Sequence, residues 1–213
     1  HPGASNDDDV LNLILQRYEI KQDQQHSNRY IREWTRGNDE PVRDLINRMG
    51  RDKLIRRAAA FIYLEFEQLR HIFEDRFPRK IADIGCGYAI FDLFLAQEFD
   101  STLNLIDLES NESRHFGFKE GGSAYSNLGN ASRFLQANGV MKSAINTLNP
   151  KTDDISRLYD LDYAFSFVSC GFHYPWSTYE SFFKDNIAKD GRIILDVRAR
   201  KLSQHLREMS CMR

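Results

Sequence analysis

The chain has 213 residues, enough for one α/β domain with a helical extension and for a sizeable buried core. Hydrophobic residues make up 41% of it and charged residues 28%, a globular rather than a disordered composition. A net charge of −2 and a pI near 6.3 give no electrostatic footprint for nucleic acid or for an anionic membrane surface. No apolar run reaches the roughly 18 residues of a membrane span.

The cysteines argue for a reduced protein without a metal centre. Cys86, Cys170 and Cys211 are odd in number and widely spaced, which fits neither a disulfide framework nor a zinc site. The histidines form no metal-ligand spacing either. We therefore expect a cytoplasmic protein with no metal.

The first third of the chain has helical periodicity. Residues 10–34 form one helical pattern with a polar interruption, a second short helix is predicted over about 40–50, and a third over about 51–77, closed by Pro78. These patterns predict a helical N-terminal region over residues 1–77.

From residue 78 onward, strand and helix patterns alternate. The predicted strands are 80–84, 102–107, 142–147, 163–168 and 192–197, and the predicted helices are 91–98, 124–138, 179–188 and 200–212. Such alternation predicts a parallel sheet covered on both faces. The fold class is therefore a Rossmann-like, doubly wound, mostly parallel α/β domain over residues 78–213, with the helical region as an N-terminal extension.

Two motifs stand at the ends of the first two predicted strands. Asp83-Ile84-Gly85-Cys86-Gly87 ends the first strand, where glycines permit a sharp turn and let a ligand approach the backbone. Asp107 ends the second strand, where a carboxylate can accept hydrogen bonds from both hydroxyls of a ribose. Taken alone, the glycine motif could also form a tight turn that binds no ligand. Together with Asp107, it predicts a ligand that contains a nucleoside.

The composition of these motifs discriminates between cofactors. A dinucleotide fingerprint places a third glycine or alanine three residues after the second glycine, and this chain has Ile90 there. Asp83 and Asp107 would make the pocket acidic, which suits a sulfonium cofactor that carries an amino group and disfavours a diphosphate. The residues therefore favour S-adenosylmethionine over a nicotinamide dinucleotide.

The segment Ile81–Gly87 resembles the glycine-rich motif of class I S-adenosylmethionine-dependent methyltransferases, and Lys189–Leu195 resembles the turn and fifth strand of that superfamily. The resemblance implies that the methionine part lies against the glycine turn and the ribose against the acid that ends the second strand. It also implies that Asn146 or Thr147 lies near the adenine. The predicted cofactor-binding residues are Asp83, Gly85, Cys86, Gly87, Asp107, Leu108, Asn146 and Ser169.

The loop after the fourth predicted strand, Ser169–Trp176, faces the other side of the same crevice. His173 could accept the proton of an acceptor hydroxyl during methyl transfer, because an imidazole titrates near neutral pH. A purely structural role of this histidine stays open. The segment Gly171–Pro175, together with residues 118–127, is similar to bacterial sugar O-methyltransferases.

These observations predict an S-adenosylmethionine-dependent methyltransferase that acts on a small hydroxyl-bearing molecule such as a sugar. We expect a small-molecule acceptor as its partner, and neither nucleic acid nor a membrane. Two alternatives stay open: a non-catalytic module with a methyltransferase-like fold, and a nicotinamide-dependent oxidoreductase.

The end of the chain predicts an incomplete sheet. Class I methyltransferases usually carry seven strands, the last two in an antiparallel hairpin, and roughly fifteen residues remain after the fifth strand here. We expect a five-stranded sheet in the order 3-2-1-4-5 without that hairpin. Its apolar edge strand would be covered by the helical region, by a second subunit in a homo-oligomer, or by residues of a longer natural chain, which we favour.

Overall fold

The computed structural model describes residues 7–21, 27–108 and 127–210. The N-terminal region consists of helices α1 (Asp7–Gln16), α2 (Ser27–Thr35), α3 (Glu40–Met49) and α4 (Arg51–Asp75). Gly50, at φ +83°, separates α3 from α4, and this positive φ favours glycine. Within the described ranges, every helix is too short or too polar to cross a membrane.

The remainder of the chain forms one parallel sheet flanked by helices. Its strands are β1 (Lys80–Ile84), β2 (Thr102–Ile106), β3 (Ile145–Leu148), β4 (Leu161–Ser166) and β5 (Ile187–Leu195). The helices are α5 (Ile90–Phe99), α6 (Leu128–Ala137), α7 (Glu180–Asp185) and α8 (Leu202–Met209). The order β3-β2-β1-β4-β5, with every pairing parallel, confirms the doubly wound fold and the predicted strand order.

The central strands are buried on both faces, as a sheet covered by helices requires. The side chains of Ile81, Ala82 and Ile84 in β1 and of Tyr163 and Phe165 in β4 are inaccessible to solvent. One apolar cluster joins Ile81, Tyr163 and Phe165 to the helical region; its aromatic members are Trp34, Phe66, Phe73, Tyr88, Phe91, Tyr163 and Phe165. Ala82 and Ile84 belong to a second cluster, which contains Trp176, Phe182 and Phe183. Helices α1–α4 therefore share their core with one face of the sheet.

Three strand predictions were wrong at their boundaries. β3 is Ile145–Leu148 because residues 142–144 form a 3₁₀ turn. β4 ends at Ser166, since Val168 has a φ of +54° that no strand can accommodate. β5 begins at Ile187, and the predicted turn lies within it: the register jumps from the Leu161–Ile187 pair to the Tyr163–Arg192 pair.

Candidate functional site

A cleft opens at the carboxyl ends of β1, β2 and β4. The strand order reverses between β1 and β4, and open α/β sheets bind ligands at this switch point. Three segments form most of the cleft: the glycine turn after β1, the end of β2, and the loop after β4. A fourth wall comes from α1 and the residue that follows it, Arg17. A neighbouring cavity of about 600 Å³, within the size range of small-ligand pockets, shares Leu108, Tyr174 and Tyr179 with the cleft.

The glycine turn owes its composition to backbone shape and to close packing. Gly85 and Gly87 have φ values of +79° and +57°, where side chains with a Cβ are strained. A Cβ on Gly85 would also lie 2.1 Å from Ser169 Oγ. The turn after β1 and the loop after β4 therefore meet at this glycine, and the floor of the cleft depends on it.

Asp107 joins the end of β2 to the glycine turn. Its Oδ2 accepts a hydrogen bond of 2.9 Å from the backbone N–H of Gly87, and its own N–H donates to Leu148 O at 3.2 Å. The carboxylate is half-buried at the edge of the cleft. A carboxylate has about four acceptor positions, so it can accept hydrogen bonds from more than one donor.

Two further carboxyl groups lie beneath the turn. Asp83, at the end of β1, and Asp92, in the first turn of α5, are buried. Burial, together with the charges of Asp92 and Asp107, raises the pKa of Asp83 well above its ordinary value, and Arg17 opposes this rise. Burial raises the pKa of Asp92 to about 7. Burial therefore disfavours the ionised form of both carboxyl groups.

The loop after β4 is held in a strained conformation. Val168 is β-branched, yet it adopts φ +54°, and its N–H donates to Asp196 Oδ2 at 3.1 Å. Such strain persists only where surrounding contacts fix it, and it is concentrated at functional sites. Beyond this residue, Ser169, His173 and Tyr174 line the cleft.

His173 lies on that loop and lines the cleft. Its backbone N–H donates to Ser169 O at 2.7 Å, and its ring meets Phe172 edge to face with centroids 5.2 Å apart. Beside it, the hydroxyl groups of Tyr174 and Ser169 lie 3.3 Å apart. Burial raises the pKa of Tyr174 and of Tyr179, so both phenols keep their protons and can serve as hydrogen-bond donors.

The structure brings almost all predicted site residues together. The cleft is lined by Asp83, Gly85, Cys86, Gly87, Asp107, Leu108, Ser169 and His173. Asn146 is not among the described residues that line it; its Nδ2 donates to Asn104 Oδ1 at 3.0 Å within the sheet. Because β3 extends to Leu148, the position after the strand belongs to Asn149, whose Nδ2 is 3.5 Å from Leu108 O. Of residues 118–127, which supported the similarity to sugar O-methyltransferases, all but Asn127 lie outside the described residues, and Asn127 caps α6.

Sequence reasoning missed the wall formed by the helical region. Leu13, Leu15, Gln16 and Arg17 line the cleft, although nothing in their local pattern distinguishes them from an ordinary helix end. Asp196, which fixes the loop after β4, carries the same signal as Asp107: an acid directly after an apolar strand. That signal could have identified it.

A scan against protein-family models found no match, and a search of curated proteins found no significant relative. Among solved structures, the chain is similar to an O-methyltransferase from Nostoc punctiforme, at 17% identity over 60% of this chain and 34% of that one, with a TM-score of 0.45. It is also similar to precorrin-6y C5,15-methyltransferase from Geobacter metallireducens, at 16% identity over 63% and 62%, with a TM-score of 0.45.

A third similar structure is coclaurine N-methyltransferase bound to N-methylheliamine and SAH, at 14% identity over 65% of this chain and 35% of that one, with a TM-score of 0.41. The chain thus spans between 34% and 62% of the length of these three structures. Likeness at this level carries no argument about function. A functional proposal therefore rests on the cleft itself.

Proposed function

We propose that this chain is an S-adenosylmethionine-dependent methyltransferase that acts on a small hydroxyl-bearing molecule, with a sugar as the first class to test. The observation that carries the proposal is the bond between Asp107 and the Gly87 N–H. It fixes an acid at the end of β2 next to a glycine turn at the end of β1, in one cleft at the switch point of the sheet.

The parts of the cofactor match different walls of the cleft. The ribose diol fits against Asp107, and the methionine end fits over the backbone of Gly85–Gly87. Leu108, which lines both the cleft and the neighbouring cavity, and Asn149, whose Nδ2 lies 3.5 Å from Leu108 O, would hold the base. A pyrophosphate fits poorly, because the turn packs on buried carboxyl groups and Ile90 occupies the position of the third glycine.

A cationic ligand also suits the buried pair below the turn. The proton that burial keeps on Asp83 and Asp92 can leave when a positive charge binds nearby, since an opposite charge within a few ångströms favours the ionised carboxylate. A sulfonium with an adjacent ammonium group supplies such a charge, whereas a nicotinamide dinucleotide brings a diphosphate.

The loop after β4 supplies the groups for the acceptor. When bound, the cofactor provides a methyl group on a sulfonium, which an acceptor oxygen can attack. His173 then takes the proton that the acceptor hydroxyl loses, and the phenols of Tyr174 and Tyr179 orient the acceptor by hydrogen bonds. Holding the acceptor oxygen in line with the methyl group supplies the remainder of the rate.

Two experiments test the proposal. Calorimetric titration with S-adenosylmethionine and with NAD⁺ should show binding of the first and none of the second; the opposite preference favours an oxidoreductase. Incubation with methyl-labelled cofactor and a panel of sugars and phenols should then transfer label to a hydroxyl group. Cofactor binding without transfer to any acceptor would favour a non-catalytic module, and transfer to amines alone would overturn the O-methylation.

A further inference from the structure

The end of α1 forms one wall of the cleft, opposite the glycine turn. A Cβ on Gly87 would lie 2.7 Å from Gln16 Oε1, so the backbone of the turn and the end of α1 are in direct contact. Leu13 and Leu15 add apolar surface to this wall, and both side chains are buried. The helical region therefore contributes directly to the cleft.

A polar network fixes α1 in this position. Tyr88, the residue after the glycine turn, donates a hydrogen bond of 3.0 Å to Asp9 Oδ1. Asn130 Nδ2 donates to the same oxygen at 2.5 Å, and Asn12 Nδ2 is 3.3 Å from Tyr88 Oη. These bonds join α1, the glycine turn and α6, so the residues at the end of α1 are held at a defined place relative to the turn.

Arg17 is the one lysine or arginine among the described residues that line the cleft. Its side chain is 11% exposed, and its Nη1 lies 2.7 Å from Glu65 Oε1, which orients the guanidinium. Burial raises the pKa of Asp196 and the Arg17 charge opposes this rise, as it does at Asp83. The positive charge of Arg17 therefore opposes the rise in pKa of one carboxyl group at the end of β1 and of another directly after β5.

We infer that Arg17 binds the α-carboxylate of the methionine end of S-adenosylmethionine, an inference that rests on the proposed function. The methionine end is zwitterionic: its ammonium and sulfonium suit the acidic floor of the cleft, whereas its carboxylate needs a cation. Arg17 supplies a cation in the cleft next to the glycine turn, and the methionine end would lie against this turn. A guanidinium has five N–H donors on three nitrogens, and Glu65 pairs with one of them, Nη1. A further carboxylate can therefore bind in the forked geometry typical of arginine.

The test compares two ligands that differ by one carboxylate: S-adenosylmethionine and its decarboxylated form. We expect Arg17→Met to weaken binding of the first at least tenfold and to leave binding of the second within about twofold. Arg17→Lys keeps the charge without the fork, so an intermediate loss is expected. Arg43→Met is the matched control, because Arg43 forms an ion pair of 2.7 Å with Asp8 in the same region, outside the cleft.

Equal weakening of both ligands in a folded Arg17→Met variant would overturn the inference, because it would mean that Arg17 only supports the wall. Unchanged binding of both would overturn it as well. If the unmodified chain binds neither ligand, the proposed function itself fails, and the inference fails with it. Thermal unfolding of each variant identifies those that fold, and Arg17→Lys provides the same comparison if the methionine variant does not.

Discussion

Gly85 and Ser169 lie so close together that a single methyl group on Gly85 would be 2.1 Å from the hydroxyl oxygen and 2.5 Å from the Cβ of Ser169. This contact joins the turn after β1 to the loop after β4 across the centre of the cleft. The glycine therefore serves the protein's own packing in addition to any ligand. The loop that carries His173 is positioned partly through it.

Gly85→Ala should therefore destabilise the fold more than a strained φ alone would. Gly37→Ala is the matched control, since Gly37 has a φ of +88° and nothing within 4 Å of the added Cβ. We expect about 1–2 kcal/mol of lost stability at Gly37 from the positive φ, and about 1–3 kcal/mol more at Gly85 from the collision. Urea unfolding measures both. Equal losses would contradict the contact, and Ser169→Gly should recover part of the loss in Gly85→Ala.

The buried carboxyl pair predicts an unusual dependence of stability on pH. Burial raises the pKa of Asp92 to about 7, whereas an unfolded aspartate titrates near 3.9. Between these values the folded state binds more protons, so this group's contribution to stability falls as pH rises, by about 1.4 kcal/mol per pH unit, and levels off above the folded pKa. Asp92→Asn removes the titrating group and keeps its shape.

Compared with the unmodified chain, Asp92→Asn should gain about 2 kcal/mol of relative stability between about pH 5 and pH 7. The measurement is urea unfolding at several pH values. Asp44→Asn, a substitution of an exposed aspartate on α3, should show no such trend. A constant difference between Asp92→Asn and the unmodified chain would mean that the carboxyl is already ionised at pH 5.

His173→Ala should separate chemistry from binding. As a general base the imidazole contributes roughly 10²–10⁴ in rate, so kcat should fall by that factor while the affinity for S-adenosylhomocysteine stays within about twofold. His71→Ala, on the exposed side of α4, is the control. Normal turnover of His173→Ala would make the histidine structural and leave positioning as the source of the rate.

The fold was predictable because its strongest signals are local. The apolar runs at β1 and β4 and the alternation with helices define a parallel sheet, and the order of the strands follows from the resemblance. The boundary errors came from features without a local pattern. The turn within β5 packs on the sheet, where a Cβ on Gly191 would lie 2.7 Å from Leu161 O. The two residues are distant in sequence, so no local pattern around Gly191 predicts this contact.

The site was predictable where polar or ionisable side chains lie at or after the ends of predicted strands. Asp83 is the penultimate residue of β1, Asp107 directly follows β2, and His173 lies on the loop after β4. A doubly wound sheet gathers such residues at one edge. Arg17 was not predictable in this way, because it is brought to the cleft by the packing of α1 on α3 and α4 and by the bond between Asp9 and Tyr88. Asn146 was misplaced because β3 ends one residue later than its pattern indicated, so that Asn149 is the first residue after the strand.

The central claim is that Asp107 holds the ribose of S-adenosylmethionine, and Asp107→Asn tests it most directly. The amide oxygen can still accept the Gly87 N–H, so the turn should keep its shape, whereas the charge and one acceptor for the diol are lost. Asp100→Asn, just before the opposite end of β2, is the matched control. In calorimetric titrations with S-adenosylhomocysteine we expect Asp107→Asn to bind at least tenfold more weakly, since each charge-assisted hydrogen bond contributes about 1.5–3 kcal/mol, and Asp100→Asn to bind like the unmodified chain. Equal affinity of all three folded proteins would contradict the account.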